Sequence, residues 1–143
     1  MNHTVVVGYD GSEAARKALD YAAASVNGGK LFVVTAIVPA PDWMGSPGWQ
    51  QSVDAEHQRG GELLEEAVER LPSAVDYSTE LIEGPAADAI IGVAEARHAD
   101  RIVVGSRGLG RVRALLGSVS HDVLQKADRP VVVMPERAVA KEE

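Results

Sequence analysis

Twice along the chain a short β-branched run breaks off on glycine: V-V-V-G-Y-D-G at 5–11 and I-V-V-G-S-R-G at 102–108. Runs this short and this apolar are buried on both faces, as in the central strands of a parallel sheet. After the first, Asp10-Gly11 turns the chain and Ser12 offers a helix N-cap. Ala15, Ala18, Leu19, Ala22 and Val26 then recur at helical spacing until Asn27-Gly28-Gly29 stops them, and Leu31 to Val38 reads as a second apolar strand. Strand, helix, strand is the opening of a parallel βαβ layout.

The pattern is interrupted at Pro39 to Gln50, a stretch with prolines, glycines and both tryptophans but no period. It reads as a long loop, either a flap over a site or a surface excursion whose tryptophans cover apolar area. A polar helix follows over roughly Ser52 to Leu71, with Leu64, Val68 and Leu71 on one side and Gly60-Gly61 weakening its middle. Val75, Tyr77, Thr79 and Leu81 alternate with polar residues, the pattern of a half-exposed edge strand. Gly84-Pro85 starts the next helix, whose inner face is Ala87, Ile90, Ile91 and Ala94. Then come the strand Ile102 to Val104, a glycine-rich loop, a helix from Ser118 to Ala127, and a last strand Val131 to Met134 bracketed by Pro130 and Pro135, which suits an edge. Alternating strands and helices of this kind make a single α/β domain around a doubly wound, five-stranded parallel sheet, a flavodoxin- or Rossmann-like sandwich. The order is 2-1-3-4-5 or 3-2-1-4-5. In the second, the two glycine turns face each other across the crevice where such sheets bind ligands.

The second turn carries the densest chemistry. Between Ile102 and Ser120 the chain reads I-V-V-G-S-R-G-L-G-R-V-R-A-L-L-G-S-V-S. Gly105, Gly108 and Gly110 can let a ligand approach bare backbone, and the helix that begins after Gly117 offers unpaired amides and partial positive charge. Arg107, Arg111 and Arg113 lie in the same loop. We read it as a phosphate cradle, with Ser118, Val119 and Ser120 at the helix start supplying backbone amides and hydroxyls. The alternative is a tight surface connection with solvated arginines. Neither G-x-G-x-x-G nor the G-x-x-x-x-G-K-[ST] phosphate loop occurs. At the first turn, Asp10 can accept a hydrogen bond from a ribose hydroxyl, or serve as a turn-former bonding its own backbone.

A net charge of −7 over 143 residues argues against a nucleic-acid footprint or a polybasic membrane patch, which makes the local arginine cluster more telling. Without cysteine there are no disulfides or thiolate metal sites, and no apolar run is long enough to cross a membrane. With no signal segment at the first strand, a cytoplasmic protein is expected. His3, His57, His98 and His121 show no metal-ligand spacing and read as solvated or cap-adjacent. No nucleophile is backed by a base, so hydrolysis would at most be slow.

The opening V-V-V-G-Y-D-G-S, the A-D-R-I-V-V-G-S-R-G block, L-L-G-S-V-S and the closing R-P-V-V-V-M-P together resemble the universal stress protein family over nearly the whole chain. Its ATP-binding members carry Gly, two residues, Gly, nine residues, Gly, then Ser or Thr. Here Gly105, Gly108, Gly117 and Ser118 fall in that order, with eight residues rather than nine between Gly108 and Gly117. The resemblance implies sheet order 3-2-1-4-5 and bound ATP with Mg²⁺ on its phosphates. It places Asp10 against the nucleotide, Gly8 and Ala36 on the adenine side, and a homodimer through Val131–Met134. The domain would span 1–137, with 138–143 a polar tail. The other expectation is a dimeric protein-interaction module of the same fold that has lost the nucleotide, which the short loop spacing supports.

Overall fold

The computed structural model describes residues 3–38, 48–106 and 117–136. In chain order these form β1 (Thr4–Gly8), α1 (Glu13–Ser25), β2 (Lys30–Ile37), α2 (Trp49–Arg70), β3 (Asp76–Glu83), α3 (Ala86–Ala96), β4 (Arg101–Gly105), α4 (Ser118–Lys126) and β5 (Val131–Met134). All strand pairs are parallel and the order is β3-β2-β1-β4-β5. The second of the two expected orders is therefore the observed one, and β1 lies beside β4.

The central strands are sealed on both faces. Val5, Val6, Val7, Ile102 and Val103 are fully buried, and each such side chain contributes about 1.5–3 kcal/mol relative to exposure. Alternation splits them between two layers. Val5, Val7 and Val103 pack under α1 and α2, while Val6, Ile102 and Val104 pack under α3 and α4. With aromatics at only 4%, α1 meets the sheet through Ala14, Ala15, Ala18, Ala22 and Ala23, and small side chains bring helix and sheet close. Ser12 caps α1, its hydroxyl accepting from the Ala15 amide at 3.1 Å.

Several local expectations shift. Residues 39–47 of the supposed Pro39–Gln50 loop lie outside the described residues, but Trp49 and Gln50 belong to α2. Its N-cap is Gly48 at φ 88°, with no side-chain cap, so the usual cap signal was missing from the sequence. Gly60 does not interrupt α2. It is buried, and a Cβ there would lie 2.5 Å from Leu81 Cδ1 and 3.0 Å from Ile37 Cγ2, so glycine is what lets helix and sheet touch. On α3 the buried face is Ala87, Ala89, Ile90, Val93 and Ala94, and Ile91 is only partly covered.

Candidate functional site

Because β1 feeds α1 on one face and β4 leads to α4 on the other, the neighbouring strands β1 and β4 part at their C-terminal ends. The crevice so formed is the place where doubly wound sheets hold ligands. Here it is a cleft with about 480 Å³ of unfilled space, part of it open to solvent. Its apolar wall comes from Val34, Ala36, Ile90, Val104 and Val119, and its polar edge from Asp10 and Ser12. Gly8 and Gly105 form the two strand ends within it.

Of the residues singled out in the sequence, Gly8, Asp10, Ala36, Gly105 and Val119 thus come together around one cleft. Gly117 stands next to it as the N-cap of α4, its amide donating to the Ser106 carbonyl at 2.9 Å. Ser118 is the first residue of α4 rather than its cap, and it is exposed. Ser120 is buried, and its hydroxyl donates to the Gly117 carbonyl at 3.0 Å. Arg107, Gly108, Gly110, Arg111 and Arg113 lie outside the described residues. The cleft walls also include Tyr9, Ser12, Ala15, Val34, Ala86, Ile90 and Val104. The apolar members of that set gave no signal, because a Val or Ile at a cleft reads in sequence like a Val or Ile in the core.

The β1 turn is wired by side chains. Asp10 Oδ1 accepts from the Ser12 amide at 2.9 Å, the turn-forming role foreseen for it, while the carboxylate remains at the cleft edge. Thr35, almost fully buried, donates from its hydroxyl to the Tyr9 carbonyl at 2.8 Å. The Tyr9 phenol donates to Glu66 Oε2 at 2.6 Å, and Arg16 Nε donates to the same oxygen at 3.2 Å. Burial, reinforced by the Glu66 carboxylate, pushes the Tyr9 phenol up to about 12. The Tyr9 hydroxyl in turn holds Glu66 below the usual carboxylate value. Neither Tyr9 nor Glu66 stood out in the sequence as a partner of this turn, since they are 57 residues apart.

Charge in the described lining is one carboxylate, Asp10, with no cation. No group of three His, Asp or Glu side chains among the described residues is placed to hold a metal ion. His57 is partly exposed and bridges α2 to the end of β3. Its Nε2 lies 2.9 Å from Glu83 Oε2, and its Nδ1 lies 3.0 Å from the Val53 carbonyl. Among the described residues no helix is long and apolar enough to cross a membrane.

Residues 1–135 match the family model described as the universal stress protein family. The chain belongs to that family. The "Universal stress protein in QAH/OAS sulfhydrylase 3'region" of Thermus aquaticus is 36% identical over 94% of this chain and 99% of its own length. Two solved family members are also similar. A universal stress protein in complex with cAMP is 30% identical, with a TM-score of 0.69 over 95% of this chain and 98% of that one. The universal stress protein from Archaeoglobus fulgidus in complex with dAMP is 26% identical, with a TM-score of 0.71 over 92% of this chain and 97% of that one. Some family neighbours therefore hold adenine nucleotides on this same fold.

Proposed function

We propose that this universal stress protein is an adenine-nucleotide-binding regulatory module that takes ATP, with Mg²⁺ carried by the phosphates. The observation that carries the reading is the cleft between the ends of β1 and β4. Its wall of Val34, Ala36, Ile90 and Val104 suits a flat purine, and Asp10 at its polar edge suits a ribose hydroxyl. Gly8 and Ala36 stand on the base side. Gly105, Gly117 and the start of α4 at Ser118, Val119 and Ser120 stand on the phosphate side. Since the described lining holds no cation, attraction for the phosphates falls to the α4 amides and to Arg107 and Arg111, with Gly108 and Gly110 giving close backbone approach.

In this reading the module is cytoplasmic and homodimeric, one domain over 1–137 with a polar tail at 138–143. Two copies pair through β5, whose four residues are all half-buried at the sheet edge. A monophosphate or cyclic adenylate is the second reading, favoured by the relatives solved with cAMP and dAMP. A dimeric interaction module without nucleotide is the third, favoured by the eight-residue spacing from Gly108 to Gly117.

Calorimetric titration of nucleotide-stripped protein with ATP, AMP and cAMP separates the three. ATP is expected to bind with a Kd of the order of micromolar. Asp10→Ala should weaken it by about tenfold or more, the value of a hydrogen bond to a charged group. Tighter binding of AMP or cAMP than ATP selects the second reading, and no binding of any adenylate leaves the third.

A further inference from the structure

We propose that the outer edge of β3 is a docking site for an extended, basic segment of a partner protein, which adds to the sheet as a further strand. Strand β3 pairs with β2 from Asp76 to Glu83 in unbroken register and ends the sheet. Just past it, the Gly84 amide donates to the Ile37 carbonyl at 2.9 Å, back toward β2. Main-chain groups alternate in direction along a strand, so the N–H and C=O of Tyr77, Thr79 and Leu81 point away from the sheet.

The two edges of the sheet are unlike. Strand β5 is four residues long and bracketed by Pro130 and Pro135. Strand β3 is eight residues long, reads D-Y-S-T-E-L-I-E, and contains no proline, lysine or bulge. An edge of that length without proline or a bulge is a template for pairing, and the charges it does carry, Asp76, Glu80 and Glu83, are all acidic.

Each face of β3 also opens into a groove. On one side Gly61, Leu64 and Val68 of α2 face Thr79, with Glu65 and Glu69 at the rim. On the other, Ala89, Gly92 and Val93 of α3 face Ile82. A Cβ at Gly61 or Gly92 would meet nothing within 4 Å, so both grooves have room beside the strand. The alternating side chains of an added strand would enter them by turns.

Charge selects the occupant. In the α3 groove Glu80 meets Arg97 at 2.9 Å and Asp88 meets Lys126 at 2.9 Å, so the acids there are matched. In the α2 groove Glu65 and Glu69 have no ion-pair or hydrogen-bond partner among the described residues. Leu64 and Val68 offer apolar surface to an aliphatic stem and the two carboxylates receive its charged head, which describes lysine or arginine. A second copy of this edge is disfavoured, because β3 reads D-Y-S-T-E-L-I-E and would bring no lysine or arginine to Glu65 and Glu69.

The test uses the full chain and two labelled, end-capped peptides of about ten residues, long enough to run along the strand. One alternates lysine with valine and the other glutamate with valine. Fluorescence anisotropy should show the basic peptide binding and the acidic one not. Thr79→Pro removes an outward N–H without touching the ladder to β2, and should weaken binding about tenfold or more. The double variant Glu65→Lys/Glu69→Lys should do the same. If Thr79→Pro does not fold, judged by circular dichroism, the double variant decides, since both its positions are on the surface of α2. Equal binding of the two peptides, undiminished binding in a folded variant, or no binding at about millimolar protein overturns the proposal. So does a self-associated form of the chain that Thr79→Pro dissociates, which would make this edge an interface between copies. Nucleotide titration of the same variants stands apart, because β3's outer edge is not part of the cleft.

Discussion

Gly8 and Gly105 close neighbouring strands and face the same cleft, yet different neighbours make each of them glycine. A Cβ at Gly8 would lie 2.5 Å from Ile90 Cδ1, the far end of a side chain that can rotate away. A Cβ at Gly105 would lie 2.6 Å from the carbonyl carbon of Ala14 and 2.8 Å from the Ala15 amide nitrogen, which belong to the backbone of α1. The residues beyond them follow suit. After Gly8 the main-chain bond from Tyr9 N–H to the Val34 carbonyl at 2.8 Å is joined by side chains from other elements, Thr35 on the Tyr9 carbonyl and Tyr9 on Glu66. After Gly105 the chain is tied by main-chain bonds that include Ser106 N–H to the Met134 carbonyl at 2.7 Å and Gly117 N–H to the Ser106 carbonyl. One wall of the cleft can be adjusted residue by residue. The other depends on how closely a helix lies on a sheet.

That contrast can be broken most sharply at Gly105. Gly105→Ala should force α1 off the end of β4 and destabilise the fold by about 3 kcal/mol, the upper end for overpacking a core. Thermal unfolding should fall by roughly 10 °C. A loss under about 1 kcal/mol would show that the α1 backbone gives way as easily as a side chain.

Next in size is Gly8→Ala. Ile90 can rotate, so stability should drop by less than about 1.5 kcal/mol. The added methyl enters the cleft, so nucleotide affinity should fall about tenfold, read by calorimetry. An equal loss of stability at Gly8 and Gly105 would erase the distinction between the two walls.

The smallest effect is expected at Tyr9→Phe, which removes the hydrogen bond to Glu66 at a cost of about 1 kcal/mol in chemical denaturation. Its signature is pH dependence. The phenol titrates near 10 when unfolded and at about 12 when folded, so its stabilisation is full below pH 10 and is lost as pH rises toward 12. Glu66 is held below its ordinary value, so its share is present at neutral pH and lost as pH falls through the carboxylate range. Wild type should therefore weaken more steeply than Tyr9→Phe at the alkaline end and, to a lesser degree, at the acid end. Parallel stability profiles would remove Tyr9 from the wiring of the β1 turn.

The scaffold was largely legible because its signals are local. Val5–Val7 and Ile102–Val104 are β-branched runs that end on glycine, and Ser12 sits where a cap belongs. The alternation at Tyr77, Thr79 and Leu81 marked the exposed edge that β3 occupies. What escaped was set by packing between distant residues. Gly60 looked like a weak point and is a contact point, because its partners Leu81 and Ile37 come from other elements. The first turn of α2 was hidden because Gly48 caps it without a side chain. At the cleft, Gly8, Asp10 and Gly105 could be picked out as turn chemistry at strand ends. Ile90 and Val34 could not, since nothing in an apolar residue says whether it faces a ligand or another side chain. Thr35 and Glu66 act on the turn from other elements, with no short-range pattern to reveal them.

The central claim, that this cleft takes an adenine nucleotide, is tested most directly by amide chemical-shift mapping of labelled protein titrated with ATP and Mg²⁺. The expected result is a cluster of shifted amides at Gly8, Tyr9, Asp10, Ala36, Gly105 and Val119, with the N-terminal ends of the strands, around Thr4 and Arg101, unmoved. Saturating ATP that leaves those cleft amides in place, or moves a different surface instead, would contradict it.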